Sequence, residues 1–192
     1  MIQLVGPGGA GKSTAGAVLA ARLGEPFVDL DLRFAEQMGD IDHFIGSRGY
    51  SAYARANVEV YRSIRGDDCD GVLALSSGFM TYALGVHTSY AAIRSAVALS
   101  PLTFVLLPSL DRETCVAETV RRQLARPFTR GAAAREEAVI RERFEVYLAL
   151  PARKIATMRP PSEVAAEIAA RSNSGPAGIA RRPRRAGAST WP

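Results

Sequence analysis

Ile2-Gln3-Leu4-Val5, followed directly by Gly6-Pro7-Gly8-Gly9-Ala10-Gly11-Lys12-Ser13-Thr14, decides how the rest of the chain is read. The first four residues form a short apolar run that suits a buried strand. The next nine match G-x-x-x-x-G-K-[ST], for which about 0.002 chance occurrences are expected at this composition. From Ser13 the pattern turns helical, with Ala15, Val18, Leu19 and Leu23 on one face and Gly24 as the stop. A strand, a glycine-rich turn and a helix in that order are the context this motif requires. The glycines let backbone N–H groups turn inward around phosphate oxygens at the positive end of the helix dipole. Residues Gly8, Gly9, Ala10, Gly11, Lys12, Ser13 and Thr14 therefore read as a cradle for a nucleoside triphosphate. Lys12 would reach the β- and γ-phosphates, and the Ser13 hydroxyl would bind Mg²⁺.

Downstream, strands alternate with helices. Pro26-Phe27-Val28-Asp29-Leu30-Asp31 reads as a second strand, Val72-Leu73-Ala74-Leu75 as a third, 102–107 as a fourth and 154–158 as a fifth. Helices are expected over 32–38, 41–46, 50–65 and 88–99. Another follows Asp111, with Val116, Val120 and Leu124 inward. Two more are expected at 136–149, with Ile140, Phe144 and Leu148 inward, and at 162–171. The alternation predicts an α/β fold with a five-stranded parallel sheet covered by helices on both faces. Residues 1–172 form one domain in this reading. The Arg-, Gly- and Ala-rich stretch at about 125–134 breaks the pattern, and 173–192 is a basic, disordered tail with almost nothing to bury.

Composition narrows the function. The chain has 192 residues, 47% hydrophobic and 22% charged, ordinary proportions for a soluble globular domain. Its net charge is +5, but Arg181, Arg182, Arg184 and Arg185 sit in a tail without acids. The body is close to neutral, so no nucleic-acid-binding face is expected. Only Lys12 and Lys154 are lysines. The N-K-x-D base-recognition signature of G proteins is absent, and the chain is short for a motor. A small-molecule or nucleotide kinase is what remains. No apolar run is long enough for a membrane helix, and Met1 to Gly6 lacks a basic segment leading into an apolar one. A monomer in the cytoplasm is expected. Cys69 and Cys115 are too few for a disulfide framework, and His43 and His87 have no ligand-like spacing.

In an open α/β sheet, ligands gather at the C-terminal ends of the strands. Asp29 and Asp31 alternate there and would face the phosphates together. One suits the water shell of Mg²⁺; the other can accept a hydroxyl proton from an acceptor. The bland alternative makes Asp31 a helix N-cap.

Several stretches, taken in order, resemble shikimate kinases. They are the glycine-rich loop, Phe27-Val28-Asp29-Leu30-Asp31, Gly49-Tyr50-Ser51-Ala52-Tyr53-Ala54-Arg55, Arg126-Pro127-Phe128, and Arg143-Phe144-Glu145-Val146-Tyr147. The resemblance spans about residues 1–170. It implies ATP and Mg²⁺ as cofactors and transfer of phosphate to a hydroxyl of a small carboxylated ring, shikimate giving 3-phosphoshikimate. It implies that Asp31 binds the acceptor hydroxyls and takes the proton, and that Asp29 stands beside Mg²⁺. Arg126, in a mobile lid at about 125–134, would close over the transferring phosphate, and Arg143 would pair with the acceptor's carboxylate. Arg121, rather than Arg122, would stack on adenine, with Pro161 on the other side. Gly78 would let backbone approach the acceptor ring.

The sequence departs from the family at two places. Alignment on Gly49 and Tyr53 puts Ala54 where the family has an arginine for the acceptor carboxylate, whereas counting from Asp31 brings Arg55 into register. The family's three-glycine turn is Ser76-Ser77-Gly78 here. Two other readings stay open at this level: a kinase of a different hydroxylated acceptor, of the natural-product or antibiotic-modifying type, and a nucleotide-binding regulator that uses its basic tail on nucleic acid.

Overall fold

A computed structural model describes residues 1–66, 70–124 and 133–173. Residues 125–132, which include Arg126 and most of the expected lid, lie outside the described residues. So do 174–192 of the tail, and Cys69.

The sheet is built from β1 (Ile2–Val5), β2 (Phe27–Asp29), β3 (Val72–Ala74), β4 (Thr103–Leu107) and β5 (Arg153–Ala156). Their order is β2-β3-β1-β4-β5, and every pairing is parallel. Strand β1 is central, with Leu4 opposite Ala74 on one side and Phe104 on the other. The chain leaves β1 where the strand order reverses, which is where a doubly wound sheet opens a crevice for ligands.

Side-chain alternation along the strands divides the core into two layers. Leu4, Val72, Phe104 and Leu106 face one layer, made with α1 (Lys12–Leu23) and α8 (Pro161–Asn173). Val5, Leu73, Val105 and Leu107 face the other, made with α2 (Leu30–Met38), α3 (Ile41–Arg48), α4 (Tyr50–Gly66), α5 (Tyr90–Leu99), Cys115 of α6 (Arg112–Leu124), and α7 (Ala133–Ala149). Burial of apolar side chains on both faces is the main stabilising contribution to such a sheet. Gln3 is a polar residue in the second layer, and it accepts a hydrogen bond from the Tyr61 hydroxyl at 2.8 Å through Oε1. Among the described residues no helix is long and apolar enough to cross a membrane.

The expected elements are present, with differences that have physical causes. Helix α1 buries Ala15, Gly16, Leu19 and Ala20, while Val18 is exposed. Gly16 is on the packed face because a Cβ there would come within 2.5 Å of the Phe27 ring. Helix α6 buries Cys115, Val116 and Thr119 rather than the face through Val120. In α7, Ile140, Phe144 and Tyr147 are buried and Leu148 is only partly so. Two short 3₁₀ turns, Phe79–Thr81 and Leu84–Val86, fill the connection to α5. Phe79, Met80 and Tyr82 there are core residues despite their lack of periodicity.

The largest departure concerns β2. It ends at Asp29, and Asp31 is not on the strand. Asp29 is the N-cap of α2: its Oδ1 accepts from the backbone N–H groups of Asp31 and Leu32, at 2.9 and 3.4 Å. Capping an aspartate this way satisfies two of the free donors of the helix start. Asp31 is thereby in the first helical turn.

Candidate active site

The loop after β1 turns back on itself through Gly6, Gly9 and Gly11, whose φ angles are 151°, 80° and 89°. At Gly6 no other residue fits, since a Cβ would lie 2.3 Å from the carbonyl oxygen of Leu106. Helix α1 begins at Lys12 without a side-chain cap, so its first N–H groups are left for an anion. The Lys12 ammonium donates to the carbonyls of Gly6 at 2.7 Å and Pro7 at 3.0 Å, which holds it over the loop. The Ser13 hydroxyl donates to Asp29 Oδ2 at 2.5 Å. A hydroxyl and a carboxylate side by side next to an anion cradle are the hard-oxygen donor set that Mg²⁺ takes in phosphate sites. The residues present fit ATP and Mg²⁺.

On the far side of this loop a cavity of about 310 Å³ is bounded by Gly11, Thr14, Arg122, Thr157, Arg159 and Pro161. Arg122 ties the region together. Its Nη1 donates to the Gly9 carbonyl and to Thr157 Oγ1, each at 3.3 Å, its Nη2 donates to the Thr157 carbonyl at 3.1 Å, and Nε donates to Glu118 at 2.6 Å. Thr157 Oγ1 in turn donates to the Ala10 carbonyl at 2.9 Å. Arg121 does not line this cavity. Its guanidinium is 70% exposed and doubly bonded to Glu118. The two arginines hold the Glu118 carboxyl down to about 2, with Arg121's hydrogen bond the largest cause. A step of one residue along a helix is a turn of about 100°, enough to exchange the cavity wall for solvent. The same step places Arg122 on the wall of this cavity and Arg121 off it.

The second cavity, of about 440 Å³, lies between α4, the 79–82 turn, α5 and α7. Its polar wall is Tyr50, Arg94, Glu142 and Arg143. Arg143 Nη2 donates to the Tyr50 hydroxyl at 3.3 Å. One helical turn later, Tyr147 donates to the Ser77 carbonyl at 2.8 Å, pinning α7 to the turn that Arg143 overhangs. This gives the R-x-x-x-Y spacing a mechanical meaning. Gly78 lies beneath: a Cβ there would meet the Tyr50 hydroxyl at 2.4 Å and Arg143 Nη2 at 3.3 Å.

Asp31 is joined to the same cavity wall through aromatic residues. Its Oδ1 accepts from Ser76 Oγ at 2.5 Å and from the Tyr53 hydroxyl at 3.3 Å. Ser76 Oγ accepts from Asn57 Nδ2 at 3.0 Å, and Asn57 Oδ1 accepts from Tyr82 at 3.1 Å. The Tyr53 ring packs against Tyr50 with centroids 5.8 Å apart. Burial, reinforced by the Asp31 charge, pushes the Tyr53 hydroxyl well above its usual value, so it stays a donor.

Arg55 is elsewhere. It is exposed, its Nε donates to the Val86 carbonyl at 3.2 Å, and it is not among the residues lining the cavity. Ala54 faces the core instead. Sequence reasoning gave no role to Arg94 or to Asn57, which bonds to Ser76, and it placed Arg122 second to Arg121. For Asn57 the signal was its place one turn after Tyr53 on a helix whose inward face is otherwise apolar. His87 and Cys115 play no part in either cavity: His87 pairs with Glu59, and burial raises the Cys115 thiol above its usual range.

A phosphate-cradling loop after the central strand, a hydroxyl–carboxylate pair beside it and a separate polar cavity define a P-loop kinase of small molecules that uses ATP with Mg²⁺. Comparison with known proteins gives the family. The family model described as "Shikimate kinase" matches residues 8–172. The shikimate kinase of Mycobacterium tuberculosis (strain CDC 1551 / Oshkosh) is 33% identical over 162 residues, covering 81% of this chain and 80% of that protein. That of Thermobifida fusca is 29% identical over 170 residues, covering 88% and 91%. In fold, the chain is similar to a shikimate kinase from Acinetobacter baumannii in complex with shikimate, with a TM-score of 0.70 at 22% identity, covering 88% of this chain and 89% of that one. It is also similar to the shikimate kinase from Aquifex aeolicus, with a TM-score of 0.64 at 20% identity, covering 89% and 95%. The chain belongs to the shikimate kinase family.

Proposed function

We propose that the chain transfers the γ-phosphoryl group of ATP to a hydroxyl of shikimate, giving 3-phosphoshikimate, as a cytoplasmic monomer that needs no nucleic acid. The observation that carries this reading is the run of contacts from Asp31 to Arg143, in which Tyr53 bonds to Asp31, its ring packs on Tyr50, and Tyr50 accepts from Arg143. A proton acceptor at one end and a carboxylate fork at the other suit a small hydroxylated acid.

ATP·Mg²⁺ supplies the phosphoryl group and part of the charge that neutralises it. The chain's own residues do the rest. The N–H groups from Gly8 to Thr14 and the Lys12 ammonium hold the phosphates, Ser13 and Asp29 hold the metal, and Arg122 and Pro161 flank the nucleoside. Arg143 fixes the acceptor by its carboxylate. Asp31 orients the attacking hydroxyl and takes its proton as the new O–P bond forms and the bond to the departing ADP breaks. Arg126, in the segment after α6, closes over the phosphate in the manner the family resemblance implies.

A coupled assay of ADP release over shikimate, quinate and neutral polyols tests this. Shikimate-dependent release is expected, and Lys12→Ala should lower it by about a hundredfold or more without changing the circular dichroism spectrum. If shikimate is inert and a neutral sugar or nucleoside is phosphorylated instead, the substrate assignment is wrong. Near-normal turnover in Lys12→Ala would end the kinase reading.

A further inference from the structure

The cavity over Gly78 has a guanidinium on each of two elements. Arg143 comes from α7 and Arg94 from α5, and both line it. Arg94 is fixed at one edge, since its Nε donates to the Met80 carbonyl at 2.9 Å. Its terminal amino groups have no partner among the described residues, and neither Arg94 nor Arg143 is in an ion pair there. The Tyr50 hydroxyl, next to Arg143, is kept protonated by burial and adds a neutral donor to the same wall. One carboxylate, Glu142, also borders the cavity and sits on the exposed side of α7. Two fixed guanidinium groups against one exposed carboxylate leave a local positive excess.

An acceptor carboxylate has two oxygens and accepts several hydrogen bonds. A single guanidinium satisfies one edge of it. The arginine that the sequence offered for the other edge, Arg55, bonds to Val86 away from this cavity, and Ala54 brings no charge. Helix α5 brings a guanidinium to the same cavity through Arg94. Because Nε of Arg94 is already bound to Met80, the side chain loses little rotamer freedom on meeting an anion, and a planar fork held in advance binds a carboxylate better than a free one.

We propose that Arg94 is the second anchor for the acceptor's carboxylate, opposite Arg143, and so a specificity-determining residue that selects acids over neutral analogues. This inference rests on the reading of the acceptor as a carboxylic acid.

The test is steady-state kinetics of the full-length wild type, Arg94→Met and Arg94→Lys with shikimate and with its neutral carboxamide. Arg94→Met should raise KM for shikimate about tenfold or more, because it removes charge-assisted hydrogen bonds. It should leave kcat within about twofold and KM for ATP unchanged, since Arg94 does not border the nucleotide cavity. Arg94→Lys should recover part of the loss. KM for the carboxamide should be the same in wild type and Arg94→Met. An equal loss for acid and amide would mean that Arg94 only props the Met80 turn, and an unchanged KM for shikimate would also overturn the anchor while leaving the kinase assignment standing. If the wild type neither binds nor phosphorylates shikimate, the functional reading falls first and the anchor falls with it.

Discussion

Ser76 donates its hydroxyl to Asp31 across 2.5 Å, from the first position of the Ser76-Ser77-Gly78 turn. The contact fixes the carboxylate expected to receive the acceptor's proton, and it passes on to Asn57, which is fully buried. Ser76→Ala therefore has two separable effects. Asn57 Nδ2 loses its acceptor, which costs about 1–3 kcal/mol for a buried polar group. That is a fall of very roughly 2–10 °C in melting temperature for a domain of this size. Asp31 also loses a positioning donor, so kcat should fall several-fold while KM for ATP stays put. Ser76→Thr, which keeps the hydroxyl, should restore kcat more than it restores stability.

Asp29 combines two duties that substitution can separate. Asparagine caps a helix about as well as aspartate, whereas alanine costs about 0.5–2 kcal/mol. Asp29→Asn should melt close to the wild type but need more Mg²⁺ for half-maximal activity, because it has lost the charge beside Ser13. Asp29→Ala should suffer both losses. Equal Mg²⁺ requirements in all three proteins would confine Asp29 to capping.

Arg121 and Arg122 share Glu118 but face different surroundings. Arg122→Ala should raise KM for ATP about tenfold and weaken the link between the glycine-rich loop and Thr157. Arg121→Ala breaks an exposed ion pair worth little in water, and both KM and melting temperature should stay near wild type. Nucleotide titrations of the two variants decide the matter directly.

All six tyrosines have hydroxyls pushed above their ordinary value, with burial the first cause in each; Tyr90 is pushed up to about 12. Folding favours the protonated phenols. Their contribution to stability is therefore complete below about pH 10 and is lost as pH rises from there towards the folded values. Phenolate absorbance should show almost no ionisation near pH 10 in the folded protein and should rise together with the loss of circular dichroism. A tyrosine that titrates at its ordinary value before unfolding would contradict the buried network.

The sequence carries the glycine-rich loop and the strand–helix alternation plainly, because both are local patterns. The position of Asp31 was harder to read. Val28 and Leu30 alternate with Asp29 and Asp31 as a strand would, and the capping bonds of Asp29 end the strand there. The wall of the acceptor cavity is not local at all. Arg94 and Arg143 are far apart in the chain and meet only because the 3₁₀ turns fold Met80 between their helices. No spacing rule relates such residues. In the same way, Arg122 and Thr157 become neighbours through the parallel pairing of β4 with β5, which no short window reveals.

The central place of β1 sets the timetable of synthesis. Ile2–Val5 is synthesised before its partners in the sheet, which begin at Val72 and Thr103. At 5–20 residues per second, roughly 4–14 s pass before the first neighbouring strand even exists. Helix α1 waits longer, since α8, the helix it packs against, begins only at Pro161. The apolar strand and the inward face of α1 remain uncovered throughout, so this segment is where the nascent chain is most vulnerable to misassociation. Nascent chains arrested before residue 107 should depend strongly on chaperones and bind no nucleotide.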